Sequence, residues 1–440
     1  MFKLISNLIL YNDIGDDSIL ASLGNIYRAH EEGAYSRPEL VRQIYVQVKK
    51  LLDVSTEFGF NTNLWHNYLT FKIISNINSF SLTCERRGAS EGSVNSFALN
   101  DFRAFKALFD FDFHPLEEEL GITCFDILEN YNAISKASSL YDVHVSEVVQ
   151  ALSKKLENAA DEKEFFDLIS EHYKVYGVGM FGLNRAFRVK GHADELQFVP
   201  VSNPDPILLD DLIGYERQKR QLKDNTEAFC KGYKANNCLL YGAAGTGKSS
   251  SIKAIINEYY GDGLRMIEVY KSQFSELANI IARIKKRNYR FIIYIDDLSF
   301  EENEVEYKFL KAIIEGGVEN RPDNILIYAT SNRRHLVKET WKDRADMEYD
   351  KDMHFSETMN EKLSLASRFG ISINYPGPVR QEYNDIVLAL ARREGIDMSD
   401  EEILALANKW ELRSGGISGR AARQFTDYLR SRQEQYPQDH

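Results

Sequence analysis

At 440 residues, 43% of them hydrophobic and 12% aromatic, the chain has enough length for two or three domains and enough apolar matter to give each a core, which excludes a disordered polymer. A formal net charge of -12 excludes a generally basic surface of the kind that coats nucleic acid, so any anion site has to be built locally. Four cysteines (Cys84, Cys124, Cys230 and Cys238) form no CxxC pair and join no histidines at zinc-like spacing, so they read as thiols of a reducing compartment.

The opening run MFKLISNLIL is interrupted by Asn7, lacks a following small-residue cleavage site and gives way to charge at Asp13, unlike a signal peptide. No stretch approaches the length of about 20 apolar residues that spans a bilayer, and a cytoplasmic protein is expected. From there to about Glu195 the pattern is helical. Leu40, Val41, Ile44, Tyr45, Val48, Leu51 and Leu52 recur at three- and four-residue steps on one face between Pro38 and Phe60. Similar stripes run over Leu64 to Phe80, Phe102 to Phe109 and Val145 to Leu156. Glycine and serine between Cys84 and Asn100 predict a loop, where Arg86 and Arg87 read as a solvated charge pair rather than an anion site. His30, His66, His114, His144, His172 and His192 are scattered and read as core or surface residues, not ligands.

Pro200, Pro204 and Pro206 mark a linker, because proline neither propagates a helix nor donates to a sheet. Beyond it, short β-rich runs alternate with helical ones: NCLLYG, LRMIEVY, FIIYIDD, NILIYATSN and ISINYP. That alternation predicts a parallel sheet with crossover helices, and from about Arg380 helices resume. The expected division is a mainly helical domain over 1–199, an α/β nucleotide-binding domain over 200–379 and a helical lid over 380–440.

Gly242, Ala243, Ala244, Gly245, Thr246, Gly247, Lys248 and Ser249 match GxxxxGK[ST], directly after the apolar strand and before a helical run opening at Ser250. Glycines let successive N–H groups converge on phosphate, and the following helix adds its positive end. Lys248 is expected on the β and γ phosphates and Ser249 on magnesium. A second acidic element should stand at the end of a neighbouring buried strand, where an open α/β sheet binds its ligands. FIIYIDD supplies it. Asp296 is expected to hold the metal directly or through a water, and Asp297 to orient the attacking water. NILIYATSN reads on the residues alone as a strand that could simply end in a capping turn, but its apolar run suggests a central strand beside the first, which would bring Asn332 near the γ phosphate.

These strands, in this order, resemble the AAA+ ATPases from about Asp210 to Tyr428, roughly half the chain. DDLIGYERQK looks like the segment that precedes the phosphate loop in that superfamily, which puts Ile213 and Gly214 at the adenine base. GAAGTGKS resembles its Walker A motif, IDD its Walker B, and Asn332 falls at its sensor-1 position. The resemblance places Arg368, just before the fifth strand, as the arginine finger that reaches a neighbouring subunit, and Arg420 as the sensor-2 arginine of the lid. It implies an α/β P-loop AAA+ module, a five-stranded parallel sheet with a C-terminal helical lid, preceded by a mainly α-helical domain; the ligands it implies are ATP and Mg2+. On the residues alone, Arg368 could also cap its helix or pair with an acid, Arg423 lies one turn from Arg420, and Arg333 and Arg334 could be a solvated turn. The stretch from Asp296 to Leu336 is similar to a bacterial AAA+ family known only as a domain of unknown function.

One departure matters. Most of the superfamily has Asp-Glu where this chain has Asp296-Asp297, which withdraws the second carboxylate by about 1.5 Å. Slow hydrolysis is expected, unless Glu301 or Glu302 takes over. Three roles compete: a remodelling ATPase that assembles as a homo-oligomer and acts on a protein partner, an ATPase acting on nucleic acid, and a nucleotide-dependent switch. YKSQFSEL lacks the aromatic-hydrophobic-glycine signature of a threading pore. KKRNYR (Lys285 to Arg290) reads as a helix C-terminus, and the lid holds nine Lys/Arg against eleven Asp/Glu, too balanced for a phosphate-backbone footprint. The helical first half is left as the module that recognises the protein partner.

Overall fold

The structure, a computed structural model, describes all residues except 14–17, 90, 134–142, 203, 301–303, 305, 316–321, 334–335, 337–364, 415 and 436–440. Glu301, Glu302 and Arg334 therefore lie outside the described residues. The chain divides into two compact units, one of Met1–Asn184 with Pro200–Pro204 and the other of Arg185–Val199 with Asp205–His440.

The first unit is helical, as its periodicity predicts. Its longest helix, Arg37–Phe58, starts at Ser36 with a capping box to Glu39 and a proline in its first turn, and stops at Gly59 in the left-handed region (φ 69°). Leu40, Ile44 and Leu51 are its buried stripe. Helices Ser79–Arg87 and Val94–Phe109 correct the expected loop over 84–100, which shrinks to the residues between them. The glycine and serine signal marks only that short turn. Phe80, Phe102, Phe105 and Phe113 fill the core with Tyr11 and Tyr173, whose hydroxyls are 2.9 Å apart, and Tyr173 donates to the Ile73 carbonyl at 2.8 Å. His66 and His172 are core residues, and burial holds both imidazoles below their ordinary value, His172 at about 4. No metal-holding cluster of His, Cys, Asp or Glu occurs among the described residues.

Asp101 is the polar keystone of this unit. Its buried carboxylate accepts the backbone N–H groups of Ile9 (2.9 Å), Leu10 (2.7 Å) and Tyr11 (3.1 Å). Asp101→Ala strands those donors and is expected to cost about 3 kcal/mol. A urea unfolding midpoint equal to that of the parent would contradict this.

The second unit holds a seven-stranded sheet in the order β2-β1-β4-β5-β6-β3-β7. The strands are β1 (Ala186–Lys190), β2 (Gln197–Pro200), β3 (Cys238–Gly242), β4 (Leu264–Glu268), β5 (Arg290–Ile295), β6 (Ile325–Ser331) and β7 (Ile371–Tyr375). All five expected strands are present, contiguous and parallel, with β3 between β6 and β7. These five strands are the parallel α/β sheet that the alternation of the sequence predicts. Two strands exceed the expectation: β1 extends the sheet in parallel beyond β4, and β2 follows at the edge. The expected boundary at residue 200 thus differs from the compact division, since 185–199 belong with the sheet. β1 carries a charged residue at every exposed position of its alternation and β2 has only four residues, so neither presents the apolar run that betrayed the others.

β5 is buried from Phe291 to Ile295 and β6 throughout, as strands covered on both faces must be. Three helices, Arg380–Arg393, Asp400–Ser414 and Gly419–Gln435, form the lid around Tyr383, Ile386, Val387, Ala407 and Phe425. Among the described residues, no helix is long and apolar enough to cross a membrane.

Candidate nucleotide site

The site lies at the C-terminal ends of β3, β5 and β6, where the chain leaves an apolar sheet and polar groups become affordable. At the end of β3, Gly242 (φ 136°) lies against β7: a Cβ there would stand 2.1 Å from the Tyr375 carbonyl oxygen. That backbone proximity lets Ala243 N–H donate to the same oxygen at 3.0 Å and turns the chain into the loop. Helix Lys248–Tyr259 then starts at Gly247, itself left-handed (φ 87°).

Lys248 is buried, and its ammonium donates to the carbonyls of Gly242 (3.0 Å) and Ala243 (2.7 Å) and to Asn332 Oδ1 (3.0 Å). Burial pushes its pKa down; the nearby Asp297 and Asp296 carboxylates oppose that, and Arg420 adds to it. From the end of β6, Asn332 turns its other side-chain atom outward, so that Nδ2 donates to Asp297 Oδ1 at 2.9 Å. Asn332 thus bridges the loop lysine and the second acid.

The first acid is held separately. Asp296 Oδ1 accepts from Ser249 Oγ at 2.7 Å and from Thr330 Oγ1 at 2.6 Å. Partial burial pushes the Asp296 carboxyl up, but the Thr330 and Ser249 hydrogen bonds, aided by the nearby Tyr294 hydroxyl, outweigh it and hold it below its ordinary value. The Thr330 hydroxyl also accepts the Asp297 backbone N–H at 2.9 Å. One side chain therefore fixes both acids. Asp297 sits in the left-handed region (φ 49°), a conformation that Asp tolerates better than longer side chains do.

These groups open into a cleft of about 870 Å3, within the ordinary range for small-molecule sites. It is lined by Ala244 to Ser250 of the loop, Asp296, Asp297, Asn332, Ile213 and Arg420, which brings most of the expected site residues together. Ile213 also packs on the lid core. Gly214 does not line the cleft; its φ of 81° shapes the turn into the following helix, whose cap Tyr215 lays its ring 5.1 Å from that of Tyr375. Arg368 does not line the cleft either: it is ion-paired with Glu315, the acid-pair alternative open in the sequence.

Several lining residues carried no sequence signal. Arg393 donates to the carbonyls of Asp211 (3.1 Å) and Asp210 (3.3 Å), tying the first lid helix to the segment before the loop. Glu394 pairs with Arg423 (3.4 Å) and Arg430, so Arg423 is tied to the lid although it lines the cleft as Arg420 does, and the Arg420 side chain starts beside Gly245 of the loop. The Arg420 backbone N–H donates to the Gly245 carbonyl at 3.1 Å.

No curated protein matches the chain. Among solved structures it is similar to the RuvB Holliday junction branch migration motor of Thermotoga maritima, at 19% identity and a TM-score of 0.37, over 53% of this chain and 67% of that one. It is also similar to the Aeropyrum pernix ORC1 protein, solved in complex with DNA, at 17% identity and a TM-score of 0.38, over 52% of this chain and 62% of that one. A family profile described as "Protein of unknown function (DUF815)" matches residues 183–433, from the start of the sheet through nearly all of the last lid helix. That match spans more than half of the chain, and the protein belongs to this family.

Proposed function

We propose that the second unit binds ATP with Mg2+ and hydrolyses it slowly, and that nucleotide-dependent lid position couples this to assembly and to a protein partner. The observation that carries the reading is the pair of hydrogen-bonded sets at the strand ends, Lys248–Asn332–Asp297 and Ser249–Asp296–Thr330, facing one cleft. The residues fit both ligands. Ser249 and Asp296 are hard oxygen donors of the type Mg2+ takes, 2.7 Å apart. The Lys248 ammonium, now spent on loop carbonyls, is a positive charge held where phosphate oxygens would be stronger acceptors.

Bound there, the cation supplies neutralisation of phosphate charge. The chain's own residues do the rest: the loop amides and Lys248 orient the phosphates, and Asn332 holds the Asp297 carboxylate, which positions a water and takes its proton. Ile213 and the lid shield the base. Arg420 approaches from the lid, and Arg368, turned away from its own cleft, serves a neighbouring subunit. The first unit supplies partner recognition.

Specific ATPase activity is expected to rise with protein concentration, and Arg368→Ala to abolish that rise while leaving nucleotide binding intact. Activity per molecule that is constant across concentrations in both proteins would remove the finger role. A second reading, a switch with negligible turnover, is favoured by one observation: the left-handed backbone and Asn332 contact that fix the short Asp297 side chain. Tight ATP binding without turnover at any concentration selects it.

A further inference from the structure

The segment that leads to Ile213 has little regular structure, only a short helical turn over Leu209–Asp211, and its path is fixed by two cations that reach it from different helices. Lys219, on the helix Glu216–Cys230, is buried; its ammonium donates to the carbonyls of Leu212 (2.8 Å) and Leu209 (3.5 Å) and pairs with Glu216 at 2.6 Å. Arg393, the last residue of the lid helix Arg380–Arg393, donates to the carbonyls of Asp211 and Asp210 and also meets the Asp211 carboxylate at 3.1 Å. The carbonyls of Leu209, Asp210, Asp211 and Leu212 therefore all end on a positive charge. The run stops at the next residue. Among the described residues neither the N–H nor the carbonyl of Ile213 has a hydrogen-bond partner, although Ile213 lines the cleft together with Leu212, Ile386 and Leu390. A main chain held up to the very residue that keeps one spare donor and one spare acceptor is preorganised for the edge of a ligand.

We propose that Arg393 and Lys219 are positioning residues for base selection, holding the main chain so that Ile213 reads the amino edge of adenine and rejects a keto purine. This rests on the reading of the cleft as a nucleotide site with the base beside Ile213. The discrimination is one of polarity. Adenine presents a donor at its amino group and an acceptor at the neighbouring ring nitrogen; a keto purine reverses both, with an acceptor oxygen and a ring N–H. A fixed N–H and carbonyl that match the first edge meet like against like at the second, whereas a main chain free to shift accommodates either. The apolar side chains of Leu212, Ile213, Ile386 and Leu390 grip any purine alike, so selection lies with the main chain and with the two cations that hold it. Arg393 belongs to the lid, and a lid that swings away takes with it the partner of Asp210 and Asp211. Base selection is thereby a property of the closed lid.

The test is calorimetric titration of ADP and of inosine diphosphate, each with Mg2+, into the full-length parent, Arg393→Ala, Arg393→Lys and Lys219→Met, together with the melting temperature of each free protein. The two ligands share ribose and phosphates and differ only at the base edge in question. The parent is expected to prefer ADP by about a hundredfold, and Arg393→Ala to lose about tenfold of that preference through weaker ADP binding, with inosine diphosphate held within about threefold of the parent. Arg393→Lys keeps the charge but not the fork that spans two carbonyls, and should fall between the two. The Arg393 side chain is 41% exposed, so its replacement opens no core and the result stands even where the buried Lys219→Met melts low. If Arg393→Ala weakens both ligands equally, or keeps the full preference for ADP, the positioning role is overturned. If the parent binds ADP and inosine diphosphate alike, the reading of the base at Ile213 is overturned while the nucleotide site stands. If the parent binds neither, the nucleotide reading itself falls, and this proposal with it.

Discussion

Lys248→Ala is expected to weaken ATP binding about a thousandfold, because truncating one partner of a buried, hydrogen-bonded charge pair costs about 2–5 kcal/mol and the triphosphate presents several charges. The free protein tells the same story from the other side. Its buried ammonium rests on the Gly242 and Ala243 carbonyls, and burial holds its pKa below the 10.5 of an ordinary lysine. The sign follows from linkage: nucleotide prefers the protonated lysine, so affinity is full while the free protein carries that proton and falls as pH rises past the lowered value. Parent affinity should therefore decline with alkali before pH 10.5, and Lys248→Ala should show no such decline. Fluorescent-nucleotide titration across pH measures both. Parent-like affinity in the variant would mean that the loop does not hold phosphate.

Asp297→Asn is expected to bind ATP within about threefold of the parent and to slow single-turnover hydrolysis by about 10²- to 10⁴-fold, the usual worth of a positioned general base. Lengthening the side chain is the more telling change. A simple deficit of reach would be cured by Asp297→Glu, but the structure argues otherwise. Asp297 is held left-handed at φ 49°, its N–H is tied to Thr330, and Asn332 grips its Oδ1 at 2.9 Å. Advancing the carboxylate by about 1.5 Å breaks the Asn332 contact and places a longer side chain on a backbone it tolerates less well. Asp297→Glu should turn over no faster than the parent. A large gain would show that slow hydrolysis reflects reach alone and would remove the main support for the switch reading.

The sequence displayed what repeats or clusters along the chain. Five strands were legible because each is an apolar run bounded by turn residues, and the loop from Gly242 to Ser249 because its chemistry is local. What escaped was written in three dimensions. β1, with a charge at each exposed position, resembles the helices before it more than the strands after it. Arg393 meets Asp210 and Asp211 across more than 180 residues, and nothing in the spacing of a lid arginine announces that. Thr330 was visible as a polar strand end, yet only β5 beside β6 reveals that its single hydroxyl serves both acids.

The contact between Arg420 N–H and the Gly245 carbonyl has a genetic consequence. It engages one of the otherwise unpaired donors at the start of the last lid helix with the loop from Gly242 to Ser249, so that loop and lid share a main-chain link. Every amino acid except proline carries that donor. Substitutions at 420 can therefore strip the guanidinium and whatever it senses while the link persists, and the tie between the two elements is inherited with the polypeptide itself, indifferent to nineteen of the twenty residues the codon could specify.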